Sequence, residues 1–503
     1  MFRIKYLLIL LFSNISFAQS IDDSFSQKDM LKDLEVFKNI RIKANSGLYK
    51  YRSKEQIDSI YSWAENQIIK STSYRDFHTI LSTLTDYEGS LHNDTSFSEK
   101  FIKSLSEEKY GYFPFPLKNI ENRWIINIEN DLIPLGSEII AINDEKIGKI
   151  EQNLSKYYTT DGFNQTGKKI GLQTHFSKYY RFDYGQKNNF IIEYKLPNSN
   201  EMLIKMVGSI GFSDYYKKFR TRYSKPFDKL YYSNLKEDEK YHFKIINAST
   251  AILTINSFTM GNEKSPEHKD YKTFLNNTFK EIKNSNINNL IIDVRLNGGG
   301  SDPNDILTYS YLTNRDFQEN KEAWISFHKI PYTKYYNSKI PKFIRPLFIG
   351  KYNRELQAIF QEKRNNYFYQ NSKSNDHKIW KPNPLTFHGK IYLLISPAVA
   401  SAGSLFSAMV AGNDNSVVIG EETMGGYYGH NGHTSFEYKL PKSKIITTFS
   451  IVNLKQDVPQ KSNQLNGRGI IPDYKVSQTF EDFIKQEDTQ LNFVIDLIQK
   501  QVF

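Results

Sequence analysis

Beyond Tyr241 the chain alternates short apolar runs with helical spacing, and this pattern constrains its fold more than any other feature. Ala251-Ile-Leu-Thr-Ile-Asn-Ser-Phe258 reads as a strand and Tyr271 to Ile282 as a helix. Leu290-Ile-Ile-Asp-Val-Arg295 is a second strand, running into Leu296-Asn-Gly-Gly-Gly300. Lys390 to Ile395 and Ser416-Val-Val-Ile-Gly420 are two more, with a helix through Leu405, Phe406 and Met409 between them. Strands joined through helices imply a mostly parallel sheet covered by helices, an α/β core.

Ligands in such sheets sit at the carboxyl ends of the strands, where two glycine-rich turns fall. One is Asn297-Gly-Gly-Gly300; the other is Ser396-Pro-Ala-Val-Ala-Ser401-Ala-Gly-Ser404. Small residues there let a substrate backbone approach closely and leave amide N–H groups unpaired at a helix N-terminus. A serine at Ser401 can attack a carbonyl while neighbouring amides hold the oxyanion. The plainer reading is that Ser401 caps its helix. No Lys-Ser/Thr pair follows the triple glycine, which argues against a nucleotide-phosphate loop.

Upstream, apolar residues recur at helical spacing from Ile21 to Phe101 (Leu31, Leu34, Phe37; Ile57, Ile60, Trp63; Phe77, Ile80, Leu84), which gives a helical N-terminal domain. It ends near Asp86-Tyr-Glu-Gly-Ser-Leu-His92, where His92 reads first as a solvated loop histidine and second as a functional one. Trp124 to Ile128 is strand-like, and Ile133-Pro-Leu-Gly-Ser-Glu-Ile-Ile-Ala-Ile-Asn-Asp-Glu-Lys-Ile147 gives a turn and two strands about an Asn-Asp turn. That phrase resembles the signature of PDZ domains, with Asn143-Asp144 at the family's Asn-Gly turn. Tyr112-Phe-Pro-Phe-Pro116 occupies the place of the family's carboxylate-binding loop. Such domains take an extended peptide as an added strand. An aromatic and basic stretch, 316–384, interrupts the α/β order as an insertion or a lid.

At 503 residues and 39% hydrophobic, the chain has material for several cores. Its net charge of +11 is scattered among acidic residues, as in a solvated surface rather than a nucleic-acid site. Arg3 and Lys5 precede Tyr6-Leu-Leu-Ile-Leu-Leu-Phe12, and Ser16-Phe-Ala18 follows, a secretory signal peptide with cleavage after Ala18. No later segment is long and apolar enough to span a bilayer. Absence of cysteine excludes disulfides and a lipid-anchored cysteine. The expectation is a periplasmic or secreted protein.

Four motifs in order resemble the C-terminal-processing, or tail-specific, serine peptidases and their tricorn-like relatives. Asp293-Val-Arg-Leu-Asn-Gly-Gly-Gly300 is similar to the family's asp-x-arg-x-asn-x-gly-gly, and Ser401-Ala-Gly-Ser404 to its ser-ala-x-glu, with Ser404 in place of the acid. Gly420-Glu-Glu-Thr-Met-Gly-Gly426 resembles gly-glu-pro-thr-phe-gly-lys, and Gly467-Arg-Gly-Ile-Ile-Pro-Asp473 the terminal gly-x-gly-ile-x-pro-asp. The resemblance implies a crotonase-like α/β core with Ser401 as nucleophile and the N–H groups of Gly299 and Ala402 as oxyanion hole. It implies this division: signal peptide 1–18, helical N-terminal domain 19–105, PDZ-like domain 106–205, peptidase core 206–480 with the 316–384 insertion, and C-terminal helix 481–503.

The general base departs from the family. Gly426 stands where Ser-Lys members carry lysine, and Thr254 where tricorn-like members carry histidine. The nearest substitutes lie in Gly425-Gly-Tyr-Tyr-Gly-His430-Asn-Gly-His433, so His430 is the expected base and His433 the second choice. The other readings of this pair are surface histidines or metal ligands at i and i+3. Asp457 or Glu421 is the candidate acid to orient the histidine. The expected function is an exported serine endopeptidase needing no cofactor, acting on polypeptides with the C-terminal end as a candidate handle. The alternatives are a catalytically decayed polypeptide binder and a serine esterase on the same fold.

Overall fold

The computed structural model of the chain describes residues 20–223, 236–301, 303–341 and 343–500. The expected signal peptide lies outside the described residues. Among the described residues no helix is long and apolar enough to cross a membrane.

The α/β core is a six-stranded sheet. Thr250–Ile255, Asn289–Asp293, Lys390–Ile395, Ser416–Gly420 and Tyr474–Lys475 run parallel in that spatial order, and Tyr241–Asn247 adds an antiparallel edge beside the first. Its central strands are apolar throughout because both faces are covered. Leu253, Ile255, Leu290, Ile292, Leu393 and Ile395 pack with Tyr271, Phe279, Ile306 and Phe406 of three helices, Pro266–Asn284, Asn304–Ser310 and Ala402–Ala411. Ile252, Ile291, Tyr392 and Leu394 face the other way, onto Val494 and Ile498 of the helix Thr489–Lys500.

Residues 117–208 form an all-antiparallel sheet, Leu117–Ile120, Arg123–Ile126, Glu138–Ile142, Asn189–Lys195 and Met202–Gly208. The short strand Glu145–Lys146 pairs with Glu138–Ile142 across Asn143 and Asp144, whose φ angles of 50° and 65° are those of a tight hairpin turn. One apolar cluster joins this sheet to the N-terminal helices Gln27–Ala44, Lys54–Ile68 and Tyr74–Tyr87. The last two helices open on capping boxes, Ser53 with Gln56 and Ser73 with Asp76.

A third sheet draws on distant parts of the chain. The long strand Ile446–Gln456 pairs with Asn431–Lys439 on one edge, and with Asp94–Ser96 and then Asn320–Ile325 on the other. Tyr367–Tyr369 and Glu362–Arg364 extend it. The stretch 316–384 therefore contributes three strands to this sheet. Asp94–Ser96 follows His92 directly, so pairing with Thr448 to Ile446 carries a segment of the N-terminal region across to the core.

Candidate active site

The strand Lys390–Ile395 ends in the small-residue turn, and the helix Ala402–Ala411 starts one residue after Ser401. Ser401 has φ 50° and ψ −131°, a backbone conformation L-residues rarely hold. Its side chain makes no capping hydrogen bond, which overturns the helix-cap reading. Its Oγ instead lies 3.1 Å from Nε2 of His92, a residue 309 positions away in the chain.

Burial and backbone contacts fix His92. Its Nδ1 lies 2.6 Å from the main-chain oxygen of Asn431, the first residue of strand Asn431–Lys439. A carbonyl only accepts, so Nδ1 carries the proton and Nε2 keeps the lone pair that faces the Ser401 hydroxyl. Burial pushes the imidazole pKa down to about 4, against an upward pull from the Asn431 carbonyl. The ring is therefore a neutral acceptor near pH 7.

The flanking backbone is tied from below. Asp161 accepts the Leu91 N–H on Oδ1 and the Gly426 N–H on Oδ2, each at 3.0 Å. Gly162 donates to the Gly89 oxygen at 2.9 Å, and Thr159 Oγ1 to the Asn93 oxygen at 2.7 Å. Glu88 Oε2 accepts from Asn93 Nδ2 at 2.7 Å and Asn45 Nδ2 at 3.1 Å, and lies 3.4 Å from the fully buried guanidinium of Arg41. That guanidinium sits over the ring of Phe449, 4.4 Å from its centroid. Burial raises the pKa of Asp161 to about 7, while its two backbone hydrogen bonds and the charge of Lys50 pull it back.

The triple-glycine turn meets Ser401 directly. A Cβ on Gly299, whose φ is 109°, would stand 2.8 Å from the Ser401 Cβ, so only glycine fits. Asn297 staples the two turns: its oxygen accepts the Ala400 N–H at 3.2 Å and its Nδ2 donates to Ile255 O at 3.1 Å. Of the two amides expected to hold an oxyanion, Ala402 heads its helix, where an N–H has no intrahelical acceptor. The Gly299 N–H is engaged: it donates to Asn297 Oδ1 at 2.9 Å. The amide assignment at Gly299 is corrected accordingly, because the side chain two residues earlier turns back onto it.

The expected bases are elsewhere. His430 is buried with its ring centroid 5.1 Å from that of His92, and its Nδ1 has no hydrogen-bond partner. Burial, then the neighbouring charges of His92 and Lys50, hold it well below the ordinary histidine range. Its ring packs beside that of His92. His433 lies at the bulge of its strand, with Nδ1 3.2 Å from Thr434 Oγ1 and Nε2 3.7 Å from Asp376 Oδ2. Asp457 pairs with Arg315 at 3.0 Å and contacts no histidine. Glu421 is half-buried; desolvation raises its pKa, against a downward pull from Ser477. The acid expected behind the histidine is replaced by the Asn431 carbonyl. At Gly426, in the place of the family's lysine, the N–H donates to Asp161.

Sequence reasoning passed over His92 because no spacing rule links residues so far apart. Its own neighbourhood, Gly89, Ser90, Asn93 and Asp94, has the composition of a solvated turn. The buried polar contacts that hold it come from four other segments.

Comparison with known proteins covers the core. Residues 249–476 match the model of peptidase family S41, a span that takes in Ser401 and both glycine-rich turns and leaves out His92. Among solved structures, that of mature CPAF is similar at a TM-score of 0.58 and 13% identity, over 92% of this chain and 94% of that one. A structure of mature CPAF complexed with lactacystin gives a TM-score of 0.60 and 13% identity, over 95% of this chain and 98% of that one. At such identity the likeness is one of fold. No curated protein matches the chain.

Proposed function

From the match of residues 249–476 to the model of peptidase family S41, we propose an exported serine peptidase that cleaves polypeptides through a Ser401 acyl-enzyme, with His92 as base. One observation carries the reading: Ser401 Oγ and His92 Nε2 stand 3.1 Å apart, within reach for proton transfer. Ser401 Oγ attacks the peptide carbonyl as its proton passes to Nε2. The Ala402 N–H, at the positive end of its helix, faces the developing oxyanion. His92 then gives that proton to the leaving amine, and water, deprotonated by the same nitrogen, releases the acyl group.

The Asn431 carbonyl takes the orienting place that a carboxylate fills in a triad. It fixes the tautomer but adds no full negative charge to stabilise the imidazolium. The strained backbone at Ser401 holds the hydroxyl out of the helix cap, where it would otherwise bond its own N2 or N3 amide. Capture of an extended chain by the antiparallel sheet of residues 117–208 is part of the proposal, on the strength of its PDZ-like sequence phrase.

The experiment is cleavage of an unfolded protein by the wild type, Ser401→Ala and His92→Ala, with labelling by a serine-directed fluorophosphonate. Loss of both cleavage and label in Ser401→Ala, with the fold intact, is expected. Wild-type rates in either variant overturn the mechanism. Lactacystin, bound in the CPAF structure, serves as a second active-site probe.

A further inference from the structure

The stretch from Lys329 to Arg364 plays no part in the proposed chemistry, yet it is unusual in both charge and exposure. It carries nine lysines and arginines against two glutamates, in a chain whose whole net charge is +11. Among the described residues, the two most exposed large apolar side chains both lie here, four positions apart: Phe343 at 83% and Leu347 at 74%. Phe348 and Tyr352, each 42% exposed, continue the apolar surface along the helix Arg345–Ile359.

This surface is built and not slack. The opposite face of the helix is committed to the third sheet: Leu356 is buried, Asn353 Oδ1 accepts the Ile330 N–H at 2.9 Å, and Gln357 Nε2 donates to the His328 oxygen at 2.8 Å. Arg345 reaches back to the carbonyls of Tyr336 at 3.2 Å and of Ser338 and Ile340 at 3.3 Å. Those bonds hold the turn that presents Phe343. The outer face thus ends in an apolar tip, with Lys351 and Arg354 one and two turns beyond Leu347 on the same face, Lys339 exposed upstream, and Glu355, the one acid of the helix, 3.8 Å from Lys351.

We propose that this tip docks the protein on an anionic lipid surface. Phe343 and Leu347 enter the boundary of the acyl chains while Lys339, Lys351 and Arg354 meet the negative headgroups. Charge selects this occupant. A second copy of the chain would bring like charges face to face, and a polypeptide substrate of varied sequence offers no constant negative charge. The proposal is independent of the peptidase reading.

The test is co-sedimentation of the full chain, freed of its N-terminal eighteen residues, with phosphatidylcholine vesicles with and without phosphatidylglycerol. Capture is expected only with phosphatidylglycerol, and its partition falls about tenfold as salt is raised. The double variants F343S/L347S and K351E/R354E each lower the partition about tenfold, with melting temperature unchanged. No capture by the anionic vesicles, equal capture by neutral ones, or unchanged capture in F343S/L347S overturns the proposal. A dimer that F343S/L347S dissociates assigns the face to a second copy and likewise overturns it.

Discussion

His92 donates from Nδ1 to the main-chain oxygen of Asn431 at 2.6 Å, and that bond decides which nitrogen faces Ser401. With Nδ1 protonated, Nε2 is an acceptor 3.1 Å from the hydroxyl. Among the described residues the group bonded to Nδ1 is a backbone carbonyl, so backbone geometry sets the tautomer.

Replacing the three histidines one at a time separates their roles. His92→Ala is expected to lower kcat by at least about 10³-fold with KM little changed, because it removes the acceptor of the serine proton. His433→Ala is expected to stay within about twofold, since the polar contacts of its ring are with Thr434 and Asp376. His430→Ala leaves a cavity behind His92 and should destabilise the fold by about 2 kcal/mol while retaining measurable cleavage. Steady-state kinetics with thermal melting checks all three. Cleavage by His92→Ala at the wild-type rate sinks the assignment.

The pH profile follows from the burial of His92. The neutral ring is the active form, and burial lowers its pKa to about 4. The acid limb of kcat/KM is therefore expected near about pH 4, well below the ordinary histidine value, with activity flat from about pH 5 upward to neutrality. A limb near pH 6.5 would show that the free enzyme exposes this ring to water.

Gly47 lies far from Ser401 in sequence and touches neither reacting atom, yet it bears on the base. A Cβ there would fall 1.9 Å from the Asn431 side chain. Gly47→Ala is expected to push Asn431 aside, turn the His92 ring, and lower kcat by about 10²-fold. Gly299→Ala is expected to be as damaging, through the 2.8 Å approach to Ser401. Comparing the acid limbs of kcat/KM distinguishes the two: only the Gly47 variant should move it.

Asp161 links stability to pH. Burial lifts its folded pKa to about 7 from an ordinary 3.8, so between those values the folded chain keeps a proton that the unfolded chain has lost. This contribution is full below about pH 4 and disappears as pH rises through about 7. Asp161→Asn removes the titration, and its single acceptor can serve Leu91 or Gly426 but not both. The expected outcome is a flatter stability curve between about pH 4 and 7, and a stability loss of about 1–3 kcal/mol at low pH. Urea unfolding at several pH values measures it.

The strands Asn289–Asp293 and Lys390–Ile395 and the turn at Ser401 were legible because their signals are local: apolar runs closed by glycine and small residues. The third sheet was not. Its strand Asp94–Ser96 is three polar residues long, and its register with Thr448 to Ile446 depends on chain ends that sequence periodicity does not connect. His92 lies two residues before that strand and is hidden with it. His430 follows the missing lysine position closely in sequence, but its ring packs beside that of His92. The Gly299 amide failed for a smaller reason, a side-chain bond from Asn297 that a backbone argument does not include.

The pairing of Asp94–Ser96 with the strand Ile446–Gln456 has a consequence for biogenesis. His92 and Ser401 lie 309 positions apart in the chain, and the strand that brings them together follows both. A chain emerging from its N-terminus has its histidine early and its serine late, and aligns them only after residue 448 has arrived. Until that strand is in place the contact between His92 and Ser401 lacks the pairing that sets it, and C-terminal truncation before that strand is expected to leave the two side chains unaligned.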